Sequence, residues 1–518
     1  MSRVGRLRLV RVTAVAVAGL SLLSATAPLS IVPRRDTALE AALRSHVVTL
    51  SSEEFGGREP GTDGEARTLR YLARQWFDIG LESGTNTPGS AWFAPVELVE
   101  RVPAASRVAF RRGKQRLAVS QDGAFVVTSG LRSLVENAPV LFVGHGTGPV
   151  PPRAELAGRI ALMLDSLPSG TSAAATEDRP GRLLDAGASA VIVVLDGERR
   201  IDEVTARRRR AGYALAGGQL GGDIEAFVTP AFAAQMLAGG AARDVATLRR
   251  EAAAAGFVPR LLGVEGSLEA TSTETRVRTH NLIGKIEGRN PAAGAVLVMA
   301  HWDHFGQCGT PPMLCPGAVD NASGVAVITE VARSLVRGQA RGAKPMDRDV
   351  YFVATTGEEL GLLGAMAFAE NPPLPLDRVV AAFNVDSTGL VPAGRPVAIV
   401  GRGMTGLDAG IGRVVARMKR KLVNDDAANA FVRRQDSWAL IQHDVPAVMV
   451  SSSYGDPERL DRFMKERYHT PADKADLIEV GGMADDVTLH TELVREFADA
   501  KRVPAPGSAS GPTRAATP

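Results

Sequence analysis

Between about residues 276 and 495 the chain repeats one pattern: a short, nearly all-apolar run, a loop, then a helical stretch. The apolar runs fall at 295–300, 350–355, 379–385 and 447–450, and the helical stretches near 323–336, 360–369, 405–419 and 485–499. A strand that alternates polar and apolar residues wets one face. Runs without alternation must be buried on both, and helices following each run supply the cover. The pattern predicts an α/β fold with a mostly parallel central sheet flanked by helices. In such sheets, ligands bind at the carboxyl ends of the strands.

Upstream, 38–50 reads as a helix and the glycines and proline of 55–62 as a loop. Thr62 or Asp63 can cap a helix that places Leu69, Leu72, Ala73 and Trp76 on one face and ends at Gly80. From about 108 to 262 the texture changes to short β-type runs at 108–110, 140–143, 160–164 and 190–195, with a helix near 182–186. This predicts a small inserted β-rich domain. It holds no cluster of acids and histidines, and its arginine run at 207–210 reads as a solvated surface. The tail at 503–518 is rich in Pro, Gly, Ser, Ala and Thr and is expected to be disordered.

The chemistry-bearing residues follow the predicted strands. The first strand runs into His301-Trp302-Asp303-His304, and Asp320 lies just before the next helix. The second runs into Gly357-Glu358-Glu359, the third into Asn384-Val385-Asp386, and the loop after the fourth holds Tyr468-His469-Thr470-Pro471. The sheet rule brings these groups to one crevice. Clustered carboxylates repel unless a cation neutralises them. Histidine nitrogens with carboxylate oxygens suit Zn²⁺. Five such groups exceed the needs of one catalytic zinc and fit two ions sharing a carboxylate, about 3.5–4 Å apart.

The motifs HxDH, PGxVDNASG, TGEELG, NxD and YHTPAD, in this order, resemble the co-catalytic di-zinc aminopeptidase family, which includes bacterial leucyl aminopeptidases and, more distantly, glutamate carboxypeptidase II. The resemblance covers roughly 40–105 and 276–495, and implies a zinc exopeptidase (phosphorylase/hydrolase-like) fold. It implies that His301 and Asp386 bind one zinc, Glu359 and His469 the other, and that Asp320 bridges them. Glu358 would be the general base, acting on a zinc-bridged hydroxide. Asp303 would orient the ring of His301, and Tyr468 would hydrogen-bond the tetrahedral intermediate. His304 is expected to support the site or lie at the surface, and Asp436 to be a pocket-side turn or a helix cap. The stretches 157–162 and 186–192 resemble a protease-associated domain. The expected organisation is therefore a signal peptide at 1–27, the N-terminal part of the peptidase domain at 28–107, the insertion at 108–262, the zinc peptidase domain at 263–502 and the tail.

The resemblance implies an aminopeptidase acting on peptides. A carboxypeptidase or dipeptidase is the alternative, for which Arg433 and Arg434 are the available carboxylate-binding residues. A metal-free receptor-like homologue is disfavoured by the complete ligand set. Arg3, Arg6, Arg8 and Arg11 precede an apolar run at 12–23 and Ala25-Thr26-Ala27, the order of an export signal. Pro28 obscures the cleavage point, and an uncleaved segment would serve as an anchor. A secreted or periplasmic protein is expected. Removing four arginines from a chain of formal charge +3 leaves it nearly neutral, which gives no reason to expect nucleic acid as a partner. The sequence names no protein partner. Cys308 and Cys315, the only cysteines, suggest one small disulfide loop, with two free thiols or a metal-binding pair as alternatives.

Overall fold

The computed structural model describes residues 36–85, 92–168, 170–171, 178–208, 212–216, 223–242, 244–309 and 311–504. The expected export segment lies outside these residues, as do 505–518 of the expected tail and part of the arginine run. Val503, placed at the start of that tail, is instead buried and its carbonyl accepts a hydrogen bond from Arg348. No helix among the described residues is long and apolar enough to cross a membrane.

Helix α1 (Thr37–Leu50) and helix α2 (Asp63–Ile79) open the chain. Thr62 caps α2 by accepting from the Gly64 N–H, and Gly80 ends it at φ 93°, a left-handed conformation that glycine adopts without strain. The α2 face carrying Leu69, Leu72 and Trp76 is buried, and the Trp76 indole donates to Thr329.

A long strand, β1 (Phe93–Arg112), then leads into the insertion: β2 (Ala124–Thr128), β3 (Arg132–Phe142), β4 (Ile160–Leu164), β5 (Ala190–Val194) and β6 (Ile224–Val228). A 27-residue strand, β7 (Arg260–Ile286), leads back. β3, β4, β5 and β6 are parallel in that order, with β2 antiparallel on β6. Their two faces are covered by separate apolar clusters, one around Phe110, Phe142 and Phe232, the other around Phe125, Met163 and Phe227. β1 and β7 pair antiparallel along almost their whole length, from Phe93↔Leu282 to Arg111↔Glu265. The expected boundary at 107/108 therefore falls inside a continuous, paired strand, and that at 262/263 inside β7 at a break in its pairing register.

The α/β unit follows, with β8 (Ala295–His301), α3 (Gly324–Ala340), β9 (Asp349–Thr355), α4 (Leu363–Glu370) and β10 (Val379–Asn384). Then come β11 (Ala398–Val400), α5 (Asp408–Arg417), β12 (Ala447–Ser451), α6 (Pro457–Glu466) and α7 (Val480–Phe497). The sheet order is β11-β12-β10-β8-β9-β7; the four central strands are parallel, and β11 and β7 close the ends antiparallel. The predicted apolar runs are these four parallel strands, and every residue of β8, β10 and β12 is buried. A single core that includes Trp76, Trp302, Phe352, Phe383 and Phe497 fills both layers.

Candidate metal centre

The carboxyl ends of β8, β9 and β10 lie side by side, with His301↔Thr355 and Met299↔Asn384 in register. His301 is the last residue of β8. Glu358 and Glu359 follow β9 through Gly357 at φ 59°, and Asp386 follows β10. Asp320 sits in the turn Ala318–Ser323 that enters α3. That turn packs closely on its surroundings: a Cβ at Gly317 would meet Asp320 O at 2.3 Å, and one at Gly324 would meet Val385 O at 2.4 Å. His469 and Tyr468 arrive on the loop after α6, a charged helix the sequence reading missed.

The expected residues converge. His301 Nε2 lies 3.3 Å from Asp320 Oδ1 and 3.5 Å from Asp386 Oδ1. His469 Nε2 lies 3.2 Å from Asp320 Oδ2 and 3.0 Å from Glu359 Oε2. Asp320 thus reaches both histidines, one with each carboxylate oxygen. Glu358 Oε2 is 3.9 Å from His301 Nε2. His301, Glu358 and Asp386 each offer a ligand atom within 4.8 Å of the others, as do His304, Asp320 and Glu359. His304 is buried and its Nδ1 lies 2.6 Å from Glu359 Oε1, which removes the surface role. The side chain of His469 is 32% exposed and those of His301 and Asp320 are almost wholly covered, so the crevice opens on the His469 side.

The Asp303 carboxylate bonds the loop after β9 rather than the ring of His301. It accepts from the backbone N–H groups of Glu358 and Glu359 at 3.2 and 3.4 Å, fixing the Glu-Glu loop. Its distance to His301 Nδ1 is 3.8 Å, and the nearer acceptor for that nitrogen is the Asp303 carbonyl at 3.2 Å. Three residues the sequence reading underused complete the frame. Asp473, in the YHTPAD motif, accepts from the Val319 and Asp320 N–H groups. Asp436 is buried beneath the cluster and accepts from the Thr355 hydroxyl; no side-chain cap bond forms at its helix. Arg58, wholly buried, donates to the carbonyls of Trp302, Leu50, Pro316 and Gly317 at 2.7–2.9 Å. It thereby ties the His301 and Asp320 loops to α1.

The electrostatics are those of crowded acids. Burial raises Glu358 well above the usual carboxylate range, Asp303 to about 7 and Asp436 to about 6. Burial opposes charge on His301, but Glu358, Asp320 and Asp386 hold its pKa well above the usual imidazole value. His301 Nε2, His304 Nε2, His469 Nε2 and Asp320 Oδ2 are buried without an aligned hydrogen-bond partner. Buried polar atoms are ordinarily satisfied, so nitrogen and oxygen lone pairs aimed at one another fit divalent cations between them.

Cys308 and Cys315 form the disulfide, with Cα atoms 5.7 Å apart. The loop they close lies beside the opening: Phe305 packs on His469 at 4.5 Å, and a Cβ at Gly309 would touch Pro471. On another side, Leu215 of the insertion packs against Leu363 of α4, the helix following the Glu-Glu pair.

Residues 281–490, which hold the histidines and acids of the centre, match the model of peptidase family M28. Over these residues the chain is similar to peptidase family M28. Leucine aminopeptidase 1 of Trichophyton rubrum is 35% identical over 112 residues, 22% of this chain and 30% of that protein. Probable leucine aminopeptidase 1 of Trichophyton verrucosum is 25% identical over 234 residues, 42% of this chain and 58% of that protein. The chain thus spans less than two thirds of either relative. An aminopeptidase from Aneurinibacillus sp. strain AM-1 shares the fold, with a TM-score of 0.51 at 19% identity, covering 89% of this chain and 94% of that one. The M28 match begins within β7 and leaves the insertion outside it.

Proposed function

We propose that this chain is a member of peptidase family M28, an exported zinc-dependent aminopeptidase that removes N-terminal residues from peptides and holds two zinc ions per chain. One observation carries the reading: Asp320 turns one carboxylate oxygen to His301 and the other to His469, between two carboxylates, Asp386 and Glu359. His301 and Asp386 would hold one zinc, Glu359 and His469 the other, and Asp320 both. Such a pair supplies a water of lowered pKa and a Lewis acid for the scissile carbonyl.

The chain's own groups do the rest. Glu358 lies beside the cluster, 3.9 Å from His301 Nε2. As a carboxylate it would take the proton of the attacking water and return it to the leaving amine. The free α-amine of the substrate would sit beside the metals, which limits cleavage to the N-terminal residue. Tyr468, stacked 3.6 Å from the His469 ring, is placed to donate to the oxyanion. The names of the fungal relatives support the aminopeptidase assignment over a carboxypeptidase.

Hydrolysis of leucine p-nitroanilide and its N-acetyl derivative tests this reading. The free amine should be cleaved, the acetylated compound should not, and a chelator should stop the reaction until zinc is restored. Equal cleavage of both compounds would contradict it.

A further inference from the structure

We propose that Arg434 recognises the C-terminal carboxylate of the substrate, so that the preferred substrates are free dipeptides and tripeptides. The inference rests on the aminopeptidase reading and names the substrate class of the same site. Arg434 ends the 3-10 segment Ala427–Arg434 and is exposed. Its guanidinium is nevertheless held in place. Nη2 donates to Tyr468 Oη at 3.3 Å, and the guanidinium carbon lies 5.5 Å from the Tyr468 ring centre and 5.7 Å from that of Phe431. Aromatic faces fix an arginine while leaving its outer N–H groups free to donate. No carboxylate among the described residues pairs with it.

Its place relative to the reacting centre sets what it can bind. Tyr468 stacks on His469 at 3.6 Å, and His469 reaches into the cluster. The two stacking distances limit the separation of the guanidinium from the His469 ring to at most roughly 9 Å, so a carboxylate held by Arg434 belongs to a peptide of no more than about three extended residues. The groups are laid out in the same order. The residues read as metal ligands lie deep in the crevice, and Arg434 stands at its open side. A short peptide fits this layout, with its free amine beside the metals and its carboxylate at Arg434. A long peptide carries no carboxylate at that distance and gains nothing from Arg434. Guanidinium also presents the paired donors that a carboxylate accepts in bidentate fashion.

The test compares Leu-Gly and Leu-Gly-Gly with their C-terminal amides on the zinc-loaded full chain. The free acids should have kcat/KM values about tenfold higher than the amides, mainly through KM. Arg434→Met should bring that ratio close to one, and Arg434→Lys should restore part of it. Because Arg434 touches Tyr468, kcat can fall for both substrates; the ratio isolates recognition of the carboxylate from any effect on Tyr468. A ratio near one in the parent, or one unchanged in Arg434→Met, overturns the proposal. If neither acid nor amide is hydrolysed, the aminopeptidase reading fails on its own. Calorimetric binding of the reduced-amide analogue of Leu-Gly, as acid and as carboxamide, then decides the subsite. Tighter binding of the acid that disappears in Arg434→Met supports it, and equal affinities overturn it.

Discussion

Replacing Arg58 with methionine keeps most of the buried stem and removes every donor. Three carbonyls lose their partner, those of Trp302, Leu50 and Pro316, while that of Gly317 keeps the Ala322 N–H. A stranded buried acceptor costs about 1–3 kcal/mol, so three cost about 6 kcal/mol. Part is recovered, because the guanidinium is itself unfavourably placed: burial pulls its pKa from 12.5 to about 10, against the pull of Asp320 and Asp473. Relief of that burial returns about 3 kcal/mol. The net loss is about 3 kcal/mol, which for a cooperative unit of this size lowers Tm by roughly 5 °C. Tryptophan fluorescence is a suitable probe, because Trp302 lies in the loop that Arg58 holds. Arg58→Lys should fall between parent and methionine variant, restoring charge but not the fork of donors. A methionine variant melting within 2 °C of the parent would refute the claim that Arg58 ties the two loops together.

Asp320→Ala should lose zinc from both positions and His469→Ala mainly from one; elemental analysis finding one full zinc retained in Asp320→Ala would remove the bridging role. The double variant Cys308→Ser/Cys315→Ser opens a loop of only eight residues and should lose at most about 2–3 kcal/mol of stability. It should raise KM more than it lowers Tm, because the loop borders Phe305 and Pro471 beside His469. Unchanged KM with a lower Tm would make the disulfide purely structural.

The parallel strands were legible because burial on both faces leaves an unbroken apolar run, and the acids and histidines after them because strand ends are where such sheets place ligands. β1 and β7 were not. The stretch 271–278 is mostly Thr, Ser, Glu and Arg with no buried residue, and there each strand is stabilised by the other rather than by a buried face. Nor did Arg58 stand out. An arginine between Gly57 and Glu59 reads as a solvated turn, and its acceptors, apart from Leu50, lie more than 240 residues away in sequence. Asp473 sat inside a recognised motif, but its bonds to Val319 and Asp320 cross 153–154 residues. In each case the missing information was a long-range contact that no local pattern encodes.

The most direct measurement of the central claim is zinc content and turnover in Glu358→Gln. Glu358 is read as the proton carrier beside the metals and not as a ligand, although it groups with His301 and Asp386. The variant should therefore keep two zinc ions per chain by elemental analysis, while kcat on leucine p-nitroanilide falls by about a thousandfold. Loss of a zinc ion together with activity would make Glu358 a ligand, and near-parental turnover would contradict the account of this crevice as a Glu-assisted aminopeptidase centre.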